Sequence, residues 1–339
     1  MSTATEAANA RRWAADAVGR YEVWYLTWNH PDRGDGFWLR FITENPDDGP
    51  PRAELWFARF DPRRPERTFG IHRPFRASEL AAQPAPFRVA IAGAELAHDH
   101  SRGALAGDGH DVRWDLRWQP ADRVLEQLPS VMYARGGLGE TTVLSPNPRV
   151  ALSGTVTVDG EQLELAGAIA GQTHLWGKKH AYSWTWGRCA EFDGESNALL
   201  EILGVRLRRR GLTLPPMMLV NLELDGERFQ LNQFRHVVRN RGSWRTGHVA
   251  FTARSATVRI DGELQCTPEQ LVNAPYIDPD GTHVWCANTE IGDAHVVVSR
   301  RSGLGWREVR QLSGPGRAHF ETGGRERDPS VAREHVRVA

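Results

Sequence analysis

The 339-residue sequence has few cysteines and no excess of either charge. Its three cysteines, Cys189, Cys266 and Cys286, are odd in number and have no Cys-x-x-Cys spacing. This argues against a disulfide framework and predicts reduced, buried thiols in a cytoplasmic protein. Lysine plus arginine and aspartate plus glutamate both total 42. A neutral chain has no general attraction to nucleic acid, so we expect no nucleic-acid partner.

Long apolar runs and nucleotide-binding motifs are also absent. No window approaches the roughly 20 apolar residues that span a bilayer, and the N-terminus lacks the order of a signal peptide. We therefore expect a soluble protein without stable membrane insertion. Gly136-Gly-Leu-Gly139 has neither the lysine of a P-loop nor Rossmann spacing, and no Gly-x-Ser-x-Gly elbow occurs.

Two short motifs bear on metal binding. His98-Asp-His100 puts two imidazoles on one side of a strand, but the spacing fits no standard zinc site, which favours a solvated loop pair. Asp278-Pro-Asp-Gly281 lacks the later acidic ligands of a calcium loop, so it predicts a β-turn. We expect neither a metal nor an organic cofactor.

The order of residue types predicts an all-β fold after one helix. Thr3 and Glu6 have capping-box spacing and Gly19 stops the alanine-rich pattern, so we predict a helix within residues 1–20. From Tyr21 onward, short segments rich in β-branched and aromatic residues are divided by glycine, proline and aspartate, as in antiparallel sheets. Tight turns are predicted at three Asp-Gly pairs: Asp159-Gly160, Asp225-Gly226 and Asp261-Gly262.

The β-rich part has the pattern of a distant internal duplication. Each half opens with a tryptophan-rich strand, containing Trp24 and Trp28 in the first and Trp184 and Trp186 in the second. The chain also exceeds the usual length of a single core. We predict two similar antiparallel β-barrels or sandwiches. The predicted units are a helix at 1–20, β domains at 21–190 and 191–324, and a flexible tail at 325–339.

The densest group of chemically capable side chains lies between residues 171 and 189. His174 and His180 could transfer protons near neutral pH. Four aromatic side chains could form a wall that stabilises positive charge: Trp176, Tyr182, Trp184 and Trp186. The alternative is that these residues seal the junction between the two halves, with both histidines hydrogen-bonded to the backbone.

Acidic residues inside apolar runs are the next candidates. Glu201, Glu290 and Glu321 would be desolvated if they face inward, and burial can turn a carboxyl group into a general acid. Each could equally point outward or pair with a structural arginine. His319 shares a strand face with Glu321, which makes them a second candidate acid/base pair.

Several motifs together resemble the superfamily of tocopherol cyclase, carotenoid hydratase and AttH-like proteins, which also includes fungal decalin-forming Diels–Alderases. The resemblance runs from Trp24 to Gly324. Its motifs are Gly36-Phe-Trp-Leu-Arg40, Ser145-Pro-Asn-Pro148 with Ser153-Gly, Gly171-Gln-Thr-His-Leu-Trp-Gly177 with His180 and Trp186, Asp278-Pro-Asp-Gly281, and Gly316-Arg-Ala-His-Phe-Glu-Thr-Gly323. It implies paired lipocalin-like barrels and hydrophobic polyene or prenylated substrates bound between them, without metal or cofactor.

These observations lead to one main hypothesis and two alternatives. The main one is a cofactor-independent cyclase, hydratase or isomerase, with a pericyclic variant, acting on a lipophilic polyene, prenylated or polyketide-type substrate near the barrel junction. The catalytic candidates are His174, His180, Glu290, His319 and Glu321. The substrate-binding candidates are Trp38, Trp176, Tyr182, Trp184, Trp186 and Glu201.

The alternatives are a lipid or pigment carrier and a stress or attachment factor without a small ligand. An enzyme should have an ionisable group inside its cavity, whereas a carrier should have an apolar cavity. The third class should have an interior filled by side chains. The basic stretches at 206–210 and 235–245 could contact an anionic substrate tail or a carrier protein, but solvated strand ends and hairpins are the favoured explanation.

Overall fold

The fold consists almost entirely of antiparallel strands. The structure is a computed structural model that describes residues 3–14, 16–133, 140–195 and 197–339. The glycine motif at 136–139 lies outside these residues. Two short α-helices are present, α1 (Ala4–Asn9) and α2 (Phe234–Val237), with 3-10 turns at Pro65–Arg67, Ala77–Glu79, Ser130–Tyr133 and Pro268–Gln270.

The strands follow one another in chain order as short hairpins and two long ones. They are β1 (Arg20–Asn29), β2 (Gly36–Asn45), β3 (Arg52–Phe60), β4 (Phe69–Arg76), β5 (Leu80–Pro84), β6 (Phe87–Ile91), β7 (Ala94–Ala97), β8 (His100–Gly107), β9 (His110–Trp118), β10 (Leu125–Glu126), β11 (Thr141–Val158), β12 (Glu161–Gly177), β13 (Ser183–Cys189), β14 (Leu199–Arg206), β15 (Arg208–Arg209), β16 (Leu212–Thr213), β17 (Met217–Leu224), β18 (Glu227–Leu231), β19 (Arg241–Arg245), β20 (His248–Arg254), β21 (Val258–Gln265), β22 (Val272–Ile277), β23 (His283–Ser302), β24 (Gly305–Gly324) and β25 (His335–Arg337).

The two large sheets have the same strand order. The first follows the path β4-β3-β2-β1-β12-β11-β9-β8-β7, extended by β6 and β5 and by β25 at the β4 edge. The second follows β18-β17-β14-β13-β24-β23-β21-β20-β19. The short strands β10 and β22 pair with β11 and β23 at matching places. The all-β prediction is confirmed, and the repeated order agrees with the duplicated sequence pattern.

Each sheet curls around its own apolar core. In β9 the buried side chains are Val112, Trp114, Leu116 and Trp118, which alternate with exposed ones because strand side chains point to opposite faces in turn. The first core includes aromatic side chains from β1 to β3, and the second is built mainly from aliphatic side chains of β14, β17, β21 and β23. The interiors of both units are therefore filled by side chains.

A third apolar cluster joins the two sheets and positions the site. Nine of the ten residues of β1 are buried, on both faces of the strand. Trp24 and Leu26 point into the first core, whereas Tyr21, Val23 and Tyr25 point out toward the second sheet. This outer face packs on residues of β13, β22 and β23. The junction is therefore a packed interface, and burying each large apolar side chain stabilises it by roughly 1.5–3 kcal/mol.

Helix α1 is shorter than the predicted helix because other side chains take its last carbonyl groups. The helix ends at Asn9, where Trp24 Nε1 donates to the Asn9 carbonyl at 2.9 Å. His174 Nδ1 lies 2.7 Å from the Ala8 carbonyl oxygen, and the Arg12 guanidinium donates to the same oxygen at 3.1 Å. These tertiary contacts replace the next turn of the helix. No helix in the described part of the chain is long and apolar enough to cross a membrane.

The unit boundaries also differ from the predicted ones. The chain leaves the first sheet at Gly177 and enters the second at Ser183, so β13, placed in the first unit by the sequence, pairs with β14 and β24. The tail at 325–339, expected to be flexible, adds β25 to the first sheet as a parallel strand beside β4. Val331, His335 and Val338 are buried, and burial of these side chains holds the tail in place.

Two of the three predicted Asp-Gly turns are present. Asp159-Gly160 joins β11 to β12 and Asp225-Gly226 joins β17 to β18, all four residues with positive φ. Asp261-Gly262 instead lies within the continuous strand β21. A Cβ at Gly262 would lie 2.3 Å from the Phe251 ring of the neighbouring strand. The glycine therefore makes room for a cross-strand aromatic side chain.

Candidate active site at the junction of the two sheets

A cavity of about 580 Å³ opens at the junction of the two sheets. One wall is the outer face of β1 to β4, and the opposite wall is β22 with the turn that follows it. The C-terminal strand β25 borders the cavity as well. Its apolar lining includes Val23, Ile42, Trp56, Ile277 and Trp285. The cavity is large and apolar enough for a small lipophilic ligand.

His180 lines this cavity and is held by a buried carboxylate. Its Nδ1 lies 2.6 Å from Asp278 Oδ1, and its backbone N–H donates to the same oxygen at 3.1 Å. The imidazole stacks on Tyr21 at 5.1 Å and on Tyr276 at 5.4 Å, between ring centroids. Asp278 fixes the ring orientation and occupies Nδ1, so Nε2 is the nitrogen available to a ligand.

The turn after β22 places Asp278 beside His180. The Gly281 N–H donates to the Asp278 carbonyl and the Asp278 N–H to the Thr282 carbonyl, both at 2.8 Å. This geometry confirms the predicted β-turn at 278–281. The second carboxylate oxygen lies 3.5 Å from the Arg325 guanidinium. Asp278 is almost completely buried, so water screens its interactions with His180 and Arg325 only weakly.

Arg40 is a buried cation in the wall of the same cavity. Its guanidinium lies over the ring of Tyr276 at 4.5 Å and over that of Trp38 at 5.1 Å. The Tyr276 hydroxyl is buried beside this guanidinium, and it forms no well-oriented hydrogen bond within the described residues. Burial raises the pKa of Tyr276 well above its usual value, so the hydroxyl stays protonated. It can therefore donate a hydrogen bond to a ligand.

Two acidic groups of the wall have partners. Glu44 pairs with Arg52 at 2.9 Å, and Glu54 accepts from Trp56 Nε1 at 2.8 Å and lies 3.6 Å from His72 Nδ1. Burial raises the pKa of the Glu44 carboxyl to about 7 in spite of Arg52. Glu44 is thus a second titratable group in the cavity wall.

His174 does not face a cavity, which contradicts the expectation that it is a proton donor to a ligand. The ring is fully buried, with Nδ1 at 2.7 Å from the Ala8 carbonyl and Nε2 at 2.8 Å from Glu22 Oε1. It stacks between Trp24 and Trp176. The alternation that puts His174 and Trp176 on one strand face holds, but that face is covered by the N-terminal segment.

The remaining aromatic candidates surround the cavity or lie away from it. Trp38 and Trp184 pack directly behind its lining, Trp38 at 5.2 Å from His335 and Trp184 at 4.9 Å from His180. Trp186 is buried in the junction cluster. Tyr182 borders a separate cavity of about 310 Å³ beside β24. Of the residues selected from the sequence as site candidates, His180 alone lines the 580 Å³ cavity.

The acidic candidates form a buried polar seam beside the cavity. Glu201 accepts from Gln127 Nε2 at 2.8 Å and lies 3.6 Å from Arg188 Nε. Glu290 Oε2 lies 3.1 Å from His319 Nδ1. Burial raises the pKa of the Glu290 carboxyl and lowers that of the His319 imidazole, so both favour their neutral forms.

Glu321 and His319 form hydrogen bonds with other residues and not with each other. Trp184 Nε1 donates to Glu321 Oε1 at 2.7 Å, whereas the His319 ring lies 2.7 Å from both Thr27 Oγ1 and Asn29 Oδ1. The predicted acid/base pair of His319 and Glu321 is therefore not formed. His319 instead connects the two sheets, whereas the Glu321–Trp184 hydrogen bond lies within the second sheet.

The free energy of unfolding should depend on pH because the Glu201 carboxyl in this seam titrates differently in the folded and unfolded protein. Burial raises the pKa of its carboxyl to about 7 although Arg188 lowers it. Below about pH 4 the Glu201 carboxyl is protonated in both the folded and the unfolded protein, and its burial costs no ionisation energy. As the pH rises through about 7, the unfolded protein ionises more readily than the folded one, and the free energy of unfolding falls. Relative to Glu201→Gln, the wild-type free energy of unfolding should fall by on the order of 3 kcal/mol from pH 4 to pH 8.

Urea unfolding of both proteins at the two pH values measures this difference. Glu44 has the same raised pKa but is present in both proteins, so its contribution cancels. A difference that does not change with pH would show that folding does not raise the pKa of Glu201.

Sequence reasoning missed Asp278, Arg40, Tyr276 and His335 as members of this site. A signal existed for two of them, because Arg40 and Asp278 belong to motifs that carry the family resemblance. Tyr276 and His335 have no such signal. His335 lies in the tail that was expected to be flexible, and its position depends on strand β25.

Comparisons with known proteins agree with the fold and the resemblance. The "Tocopherol cyclase-like" family model matches residues 18–324. An uncharacterized protein of Mycobacterium tuberculosis, from two strains, is 30% identical over 307 residues, which cover 88% of this chain and 86% of that protein.

Two solved structures share the fold. An AttH candidate from Nitrosomonas europaea superposes with a TM-score of 0.55 at 17% identity, covering 94% of this chain and 98% of that one. Kievitone hydratase from Nectria haematococca superposes with a TM-score of 0.54 at 13% identity, covering 96% of both chains. The family match over nearly all of the β-rich part confirms the resemblance: the chain belongs to the tocopherol cyclase-like family.

Proposed function

We propose that this protein is a cofactor-independent enzyme of the cyclase or hydratase type that transfers protons to and from a lipophilic unsaturated substrate in the junction cavity. The observation that carries the proposal is the His180–Asp278 pair in the wall of an aromatic cavity. Membership in a cyclase-like family supports this reaction class. The name of kievitone hydratase, which shares the fold, describes a hydration.

His180 supplies the acid and the base of the proposed reaction. Its protonated Nε2 gives a proton to one carbon of a C=C bond, and the other carbon becomes cationic. Aromatic ring faces such as those of Tyr21 and Tyr276 stabilise that positive charge. Water or a hydroxyl group of the substrate then adds to the cation, and its proton returns to Nε2. Hydration adds one water molecule, and cyclisation gives an isomer of the substrate.

The site favours an enzyme over both alternatives. The interiors of the two sheets are filled, as the class without a small ligand requires, but the junction between them has a cavity that can hold one. A carrier was expected to have an apolar cavity with polar groups at its mouth. Here His180, Arg40 and the Tyr276 hydroxyl lie in the wall, and Arg40 and Tyr276 are nearly inaccessible to solvent. Burying these polar groups costs free energy unless a hydrogen-bonding or charged partner offsets it, and a bound ligand could be that partner.

The proposal is tested with a panel of prenylated hydroquinones, prenylated phenols, and linear polyenes with and without a carboxyl group, incubated in D₂O. Mass spectrometry should show, for at least one class, a product with deuterium at the protonated carbon and with either unchanged composition or one added water. Products formed without deuterium at carbon would point to a pericyclic reaction that needs only shape and a hydrogen bond. Binding without conversion across the panel would favour the carrier.

A further inference from the structure

We propose that the junction cavity recognises a lipophilic carboxylate, whose head group is bound by Arg40 and the Tyr276 hydroxyl while its apolar part lies along Val23, Ile42 and Trp56. This deepens the proposed function, since it concerns the same cavity, but its chemistry is recognition rather than proton transfer. It identifies the substrate as an unsaturated acid.

Arg40 is the first reason. It is 4% exposed, and within the described ranges no carboxylate lies at ion-pair distance from it; the polar group beside it is the Tyr276 hydroxyl. Removing an unpaired guanidinium from water costs several kcal/mol. The rings of Trp38 and Tyr276 offset only part of this, since a cation–π contact contributes about 0.5–2 kcal/mol. A bound anion would supply the missing partner.

The acidic side chains of the cavity wall cannot be the missing partner of Arg40, because each is bound to another residue. Glu44 is bound to Arg52, Glu54 to Trp56, Asp278 to His180 and Glu334 to Arg327. Glu321, whose charge acts on Arg40 over a longer distance, accepts the Trp184 N–H. The charge left unmatched in this wall is therefore positive.

Tyr276 and His335 are the second, independent reason. The Tyr276 hydroxyl lies beside the Arg40 guanidinium and the His335 ring beside the Ile71 backbone, and within the described residues neither forms a well-oriented hydrogen bond. Both residues line the cavity. Burial lowers the pKa of His335 well below its usual value, so the ring is neutral and still has one N–H to donate. Buried donors beside a guanidinium that no carboxylate binds are the surroundings that a carboxylate needs, and a planar guanidinium suits it best.

The test compares matched acids and alcohols. We would measure quenching of tryptophan fluorescence by all-trans-retinoic acid against all-trans-retinol, and by farnesoic acid against farnesol, at about pH 8, where carboxylates are ionised. The wild type should bind at least one acid about tenfold more tightly than its alcohol, and Arg40→Met should abolish that preference. Arg40→Lys should keep part of it, and Tyr276→Phe should reduce it.

Thermal unfolding shows whether the variants fold, and Arg40→Met should be at least as stable as the unliganded wild type because it removes an unpaired buried charge. Equal affinity for acids and alcohols, failure of every acid to bind, or an acid preference that survives Arg40→Met would overturn the inference. His180→Asn should retain the preference while losing turnover. A failure of carboxylate recognition is thus distinguishable from a failure of the proposed catalysis.

Discussion

Replacing His180 with asparagine should lower turnover by about 10²–10⁴-fold, the usual contribution of a positioned acid/base. The asparagine amide can still donate to Asp278 from about the place of Nδ1, so the turn and the cavity should persist. What disappears is Nε2, the ring nitrogen left for the substrate. Steady-state rates with a substrate found in the panel give the loss, and fluorescence quenching shows that binding persists.

Asp278→Asn provides the matched second variant. An asparagine in this place would donate to Nδ1 and leave the proton of the neutral ring on Nε2, so the ring could no longer accept a proton there. We expect a loss of turnover comparable to that of His180→Asn, with little further loss in the double variant because the two residues act as a unit. Full activity of either single variant, with the fold intact, would exclude the His180–Asp278 pair as the acid/base.

The sequence was sufficient for the fold because its signals are local and repeat. Alternating apolar residues, Asp-Gly turns and the duplicated tryptophan strands all describe neighbouring strands in one sheet. The errors concern contacts made over long distances in the chain. Helix α1 ends early because Trp24 and His174 take its carbonyl groups, and the tail is ordered because Val338 packs into the first core.

The site was predictable in part, and the reason is geometric. Local pattern indicates which residues share a strand face but not what covers that face. His174 and His180 are equal candidates in the sequence, yet one is covered by the N-terminal segment and the other borders the cavity. Arg40, His180 and Asp278 belong to three separate motifs of the family resemblance, and the junction brings all three to the 580 Å³ cavity.

Replacing His174 with alanine should destabilise the protein by about 3–5 kcal/mol, as expected when a buried carboxylate loses its hydrogen-bonded partner. The substitution leaves the Glu22 carboxylate buried with the Arg12 backbone N–H as its remaining hydrogen-bond donor in the described structure, and Trp24 loses a stacking partner. Chemical unfolding followed by tryptophan fluorescence measures the loss.

His248→Ala is the matched control, because His248 Nε2 contacts Glu263 Oε1 at 2.6 Å in an ion pair that is partly exposed to solvent. Exposed pairs contribute about 0–1 kcal/mol, so this variant should remain close to wild type. The two histidines thus differ in burial and not in the kind of partner. If His174→Ala were as stable as His248→Ala but inactive, His174 would be a catalytic residue after all, and the N-terminal segment that covers it would have to open during turnover.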